Sequence, residues 1–283
     1  MKNLLAALIC STATLSSFPA LAQGLPSLQE DPFIACFGGR ETRESLYQLG
    51  VDGILELRIK AKDDRILSHK GIEVKFFIAE QQVEDKSRWT RKKFEKEDLV
   101  TEQEATEDPE KLSFVATVSN GAKARVTYYF KNEMVYFESE LLDKGQAKRP
   151  LRIGFDLKFR HAYHGVKDDA DEKDWKQRTR GEKFFISFDY EKPVKVKAYE
   201  PMSDILATAG DDASSRITEL FYKCNDFHKR AVVFKKRKEG DAKVEFRGRA
   251  TRGKAADLGV FTVYRDHSLP SKGPWAGVGI TRK

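Results

Sequence analysis

The chain has 283 residues, a third of them charged, with 51 basic against 44 acidic side chains and a net charge of +7. The two signs are interspersed, which reads first as a well-solvated surface and second as a site for polyanions. Arginine-rich arms, zinc modules and RNA-binding sheet signatures are missing, which argues against nucleic acid as a partner, and after the first residues no stretch approaches the ~20 apolar residues of a membrane helix.

Lys2, the apolar residues 4–9 and the closing Ala20-Leu21-Ala22 make the three regions of a secretory signal peptide. Ile9 stands where a lipoprotein signal needs a small residue ahead of Cys10, so release near Ala22 is expected, giving a secreted or periplasmic protein. No linker rich in Pro, Gly or Ser divides residues 23–283, and one large domain is expected. Cys36 and Cys224 survive the cleavage as an even pair in an oxidising compartment. They admit two readings, a long-range disulfide or two small buried hydrophobes.

Along the mature chain, Phe37-Gly38-Gly39-Arg40 reads as a turn into a short helix over residues 41–49, or as a backbone approach where Arg40 clamps a carboxylate or sulfate. Leu55, Leu57 and Ile59 alternate with Glu56, Arg58 and Lys60, and Ile72, Val74 and Phe76 with Glu73 and Lys75, which makes half-buried antiparallel strands. Residues 80–109, dense in Lys and Glu, read as a solvated loop or frayed helix. Asn120-Gly121 between residues 112–118 and 124–130 is a hairpin signature. A second reversal at residues 131–133 leads into a strand at 134–142, and after a break comes the clearest alternation of all. There Leu151, Ile153, Phe155, Leu157 and Phe159 form a dry row against Arg152, Gly154, Asp156, Lys158 and Arg160. Four such strands in order predict an antiparallel meander.

The dry parity extends to His161, which either holds a perturbed pKa at the core's rim or is satisfied by a backbone carbonyl. His161 and His164 lack a third ligand for zinc. Residues 161–182 read as a long polar insertion, in which Asp168, Asp169, Asp171, Glu172 and Asp174 are either a calcium-wrapping loop or plain solvation, since the central glycine and terminal glutamate are missing. No metal or cofactor motif is found. Trp89, Trp175 and Trp275 sit in polar or glycine-rich surroundings, either as platforms for sugar rings or as caps on a core edge. Ser268 and Ser271 lack the glycine elbow of a serine hydrolase. Further strands follow at residues 184–190, 194–199, 231–234, 243–247, 259–264 and 278–281, with a short helix at 203–208. The fold class is therefore all-β, a large antiparallel β-sandwich with few short helices.

Residues 124–161, a hairpin running into a strand that ends at His161, resemble the central strands of the galactose-mutarotase-like supersandwich. That resemblance implies a supersandwich fold, a sugar site beside His161, a second histidine at His228 in Asn225-Asp226-Phe227-His228, and Glu245 in the place of the late catalytic glutamate. The paired Asn-Arg that precedes the first histidine in those enzymes is absent here. The function expected is carbohydrate binding by loops around His161, His228 and Trp175, with Arg40 and Trp275 as further contacts. If the protein is an enzyme, His161 works as general acid or base with a carboxylate partner. The alternatives are a non-enzymatic envelope or matrix protein binding acidic polysaccharide or a protein partner, and a uronate lyase using Arg40 and a tyrosine base.

Overall fold

The computed structural model describes residues 24–61, 63, 65–67, 71–159, 171–189, 191–200, 216–227, 229–237, 242–247, 260–266 and 273–282. Among them, two nine-stranded sheets pack face to face. The first runs β16 (Lys243–Arg247), β17 (Val260–Asp266), β11 (Leu151–Phe159), β4 (Ile72–Gln81), β3 (Ile54–Ile59), β2 (Ser45–Gly50), β1 (Cys36–Glu41) and β7 (Thr106–Glu107), with β5 (Trp89–Arg91) paired to the far half of β4. The second runs β13 (Val194–Lys197), β12 (Lys183–Phe188), β14 (Ile217–Lys223), β15 (Arg230–Lys236), β18 (Ala276–Arg282), β10 (Met134–Asp143), β9 (Lys123–Lys131), β8 (Lys111–Thr117) and β6 (Leu99–Val100). The pairings of the named strands are antiparallel apart from β1 with β7. The one α-helix described, α1, is Glu172–Arg178.

Period-two patterning becomes the core directly. Leu55, Leu57 and Ile59 are fully buried, and Leu151 to Phe159 present their odd-numbered side chains to the opposite sheet. Phe155 is the hub, meeting Phe76, Tyr128, Phe137 and Trp275 with ring centroids 4.6–6.0 Å apart, edge-on or tilted as ring quadrupoles prefer. The hairpin at Asn120-Gly121 forms because Gly121 takes a left-handed backbone at φ 78°, while the Asn120 side chain accepts from the Ala122 amide at 3.2 Å. The sheets are also tied at a corner. The Glu44 carboxylate, beside β2, accepts from Arg230 and Arg282 of the other sheet, and the Tyr47 hydroxyl donates to the Glu133 carbonyl at 2.6 Å.

Four expectations are corrected. Three strands, β8 to β10, form a meander, but the fourth, β11, crosses to the first sheet between β4 and β17. Alternation assigns faces and is silent on which sheet supplies the neighbours. Residues 41–49 form no helix: Thr42 accepts from the Glu44 and Ser45 amides in a turn, and β2 follows with Tyr47 and Leu49 inward. Residues 80–109 carry β5, β6, β7 and a 3-10 turn at Lys96–Asp98. These strands are only two or three residues long, so their alternation is too brief to register. In residues 161–182, α1 starts where the Asp171 side chain accepts from the Asp174 amide at 2.8 Å, an N-cap. Cys36 and Cys224 do not bridge. Cys36 packs with Phe33 and Leu46 in a small outer cluster, and Cys224 belongs to the main core.

Candidate functional site

The even-numbered row of β11, expected to be wet, is the floor of a cleft. Arg152 is half-buried and Asp156 is buried, because β5 pairs edge to edge with β4 and its side chains reach across the outer face, Arg91 to Asp156 and Trp89 over Arg152. The cleft has a volume of about 310 Å³ and is walled by Phe77, Trp89, Arg91, Arg152, Tyr264 and Glu245, within the range of small-ligand sites. Gly154 makes the floor possible. A Cβ there would stand 2.3 Å from the Val263 carbonyl, 2.8 Å from Tyr264 and 2.9 Å from Phe77, so a side chain would lift both aromatic walls.

Two arginines are held in different ways. Arg91 forms a two-pronged ion pair with Asp156, its second nitrogen 2.7 Å from Oδ1, while Thr262 donates to the same oxygen at 2.7 Å. Its guanidinium lies 4.3 Å over the Phe77 ring. Arg152 is sandwiched, 4.1 Å from the Trp89 centroid and 3.8 Å from that of Tyr264. Its carboxylate contacts are loose: Nε to Asp266 at 3.4 Å and Nη1 to Glu245 at 4.0 Å. Among the described residues, its four Nη hydrogens have no acceptor within hydrogen-bond distance, although its side chain is 17% exposed.

Tyr264 donates to Glu245 Oε1 at 2.8 Å. Burial, then the hydrogen bond to Glu245 and its charge, push the Tyr264 hydroxyl well above the ordinary tyrosine range. Tyr264 therefore keeps its proton as a donor, and the carboxylate of Glu245 is the acceptor.

Of the predicted site residues, Glu245 lies in this cleft, on the outer face, whereas the odd-numbered row Leu151–Phe159 faces the interior. His161, His164, Asp168, Asp169 and His228 lie outside the described residues. Arg40 sits on β1, six strand spacings or roughly 29 Å from β16, paired to Asp108 at 3.0 Å and to the Phe130 carbonyl at 3.2 Å. Trp175 and Trp275 are not exposed platforms. They are 5% and 2% exposed within the core, where helix α1 and the packing of Trp275 on Phe155 turn them inward. The third tryptophan, Trp89, is the one that lines the cleft. Sequence reasoning missed Arg152, Arg91, Tyr264 and Asp156. One signal was available: a glycine in the middle of a regular strand marks a close approach by another group, and Gly154 is such a residue.

Among the described residues, no group of three or more His, Cys, Asp or Glu side chains could hold a metal ion, and no helix is long and apolar enough to cross a membrane. No family model and no curated protein matches the chain. Among solved structures it is similar to a galactose mutarotase-like protein from Lactobacillus casei ATCC 334, at 11% identity and a TM-score of 0.42, covering 86% of this chain and 99% of that one.

Proposed function

We propose that this is an exported carbohydrate-binding protein whose cleft over β11 takes an acidic saccharide. One observation carries the reading: Arg152 is held against two aromatic rings, and among the described residues its Nη hydrogens have no acceptor within hydrogen-bond distance. A guanidinium so placed is desolvated and oriented in advance, which lowers the cost of receiving an anion. Three arginines, Arg88, Arg91 and Arg152, line the cleft together with Glu245. Arg91 and Arg88 are held closely by Asp156 and Asp85, whereas Arg152 has only the longer contacts to Asp266 and Glu245, which makes it the cation best placed to meet a ligand. Ser87, Gln82 and Thr262 add further polar groups to a lining that is mixed polar and aromatic. Binding is favoured over elimination chemistry, because a tyrosine that holds its proton against Glu245 is a poor base.

The test is calorimetric titration of the purified protein with acidic and neutral oligosaccharides of equal length, with Arg152→Ala beside the wild type. Acidic ligands should bind at least about tenfold tighter, a gap of about 1.4 kcal/mol, and the variant should close it. Equal binding of acidic and neutral ligands, or an unchanged Arg152→Ala protein, would remove the proposal.

A further inference from the structure

We infer that the acidic ligand is a uronate, recognised by its carboxylate and a ring hydroxyl together, and that sulfated sugars are disfavoured; this rests on the acidic-saccharide reading above. Trp89 and Tyr264 cover the two faces of the Arg152 guanidinium, so what remains for a ligand is its edge, a set of N–H donors in one plane. A planar carboxylate matches two parallel donors in that plane, and a tetrahedral sulfate matches them less well.

Glu245 supplies the second half of the recognition. Its Oε1 accepts from Tyr264 and its side chain is 39% exposed, so the carboxylate still has lone pairs facing the cleft. An acceptor in that position calls for a donor on the ligand, and it repels further negative charge. Arg152 Nη1 and Glu245 Oε1 are 4.0 Å apart. A single carboxylate cannot satisfy both, because one welcomed by Arg152 meets like charge at Glu245. A sugar ring bearing a carboxylate and a hydroxyl on nearby carbons satisfies each with the appropriate partner. The same pairing explains why Arg152 and Glu245 do not close on each other: each is fixed from its own side, Arg152 by its two aromatic neighbours and Glu245 by Tyr264.

The experiment is titration of the full chain with trisaccharides of galacturonate, glucuronate and mannuronate, each as the free acid and as the methyl ester, and with a galactose trisaccharide carrying one sulfate per ring. Esterification removes the charge and keeps the hydroxyls. At least one free acid should bind tenfold or more tightly than its ester and than the sulfated probe. Arg152→Lys, which keeps the charge and loses the planar fork, should remove most of the preference for acid over ester. Glu245→Gln should narrow the gap between uronate and sulfate, and thermal midpoints of both variants report on folding. A sulfated probe that binds as tightly as the best uronate would overturn the uronate inference and leave acidic-saccharide binding standing. Failure of all acidic probes to outcompete neutral galactose trisaccharide would bring down both.

Discussion

One strand, β11, carries two rows of side chains with different work. Its inner row, Leu151 to Phe159 at odd positions, is wholly apolar and is buried against the opposite sheet. Its outer row holds an arginine, a glycine and an aspartate beneath an aromatic roof. The inner row is made of interchangeable hydrophobic mass, so what matters is volume and parity. The outer row is made of groups whose geometry is individually set, so what matters is which neighbour each one meets. The core and the cleft are thus separated by the thickness of one pleat.

The largest break in that division comes from Phe155→Ala. Four aromatic neighbours surround this ring, and emptying the site should cost about 3–5 kcal/mol, read as a lower urea midpoint at an unchanged slope. Ligand affinity at temperatures where the variant is folded should stay within about twofold, roughly 0.4 kcal/mol. A large loss of affinity with little loss of stability would show that the two faces are not separate.

Asp156→Ala tests the outer row. The substitution leaves Arg91 and Thr262 without their shared acceptor, at a cost of about 1–3 kcal/mol. Its partner Arg91 is 46% exposed, which lets water soften the loss. Because Asp156 fixes Arg91 over Phe77, binding should weaken together with stability, and denaturation and titration of the same sample check both. An effect on stability alone would move Asp156 to the inner row's class of residue.

The inner row was legible from sequence and the outer one was not, and the reason is physical. Burial between sheets demands only that every second residue be apolar, a local property that survives without knowledge of partners. The cleft depends on β17 pairing beside β11 and β5 pairing with β4, which brings together residues 65 and more positions apart, and no short window contains them. Glu245 was named through the family resemblance, and Trp89 only as one of three tryptophans. Trp175 and Trp275 show the opposite failure: polar sequence surroundings suggested exposure, while tertiary packing buried both.

Acid titration sharpens the contrast at the sandwich's rims. Burial raises the Glu44 carboxyl, but hydrogen bonds from Arg282 and Arg230 outweigh it and hold its pKa below the usual range. Glu80, opposite Leu151 on β4, is held low chiefly by its hydrogen bond from Lys92. A carboxylate whose folded pKa is depressed contributes stability that is fully present above its unfolded pKa, about 4.3, and is lost as pH falls through the folded value. Thermal midpoints should therefore be flat with respect to these groups above about pH 5 and fall below it. Glu44→Gln together with Glu80→Gln should flatten the fall, and an unchanged slope would show that these ties between elements are not what acid breaks.

The smallest effect expected is from the two cysteines, one in the small outer cluster and one in the main core. Cys36 lies under Phe33 and Leu46 and its thiol donates weakly to the Ile34 carbonyl at 3.7 Å; burial, then the charges of Asp52 and Glu56, push its pKa up. Cys224 is packed in the main core. A thiol kept protonated and covered is a poor nucleophile, so neither should react with a thiol reagent in the native protein, and both should react on unfolding. Adding a reductant should leave the thermal midpoint where it was. A midpoint that drops under reduction would mean that the two thiols are joined, and the outer cluster around Phe33 would then have to lie against the core it is separated from here.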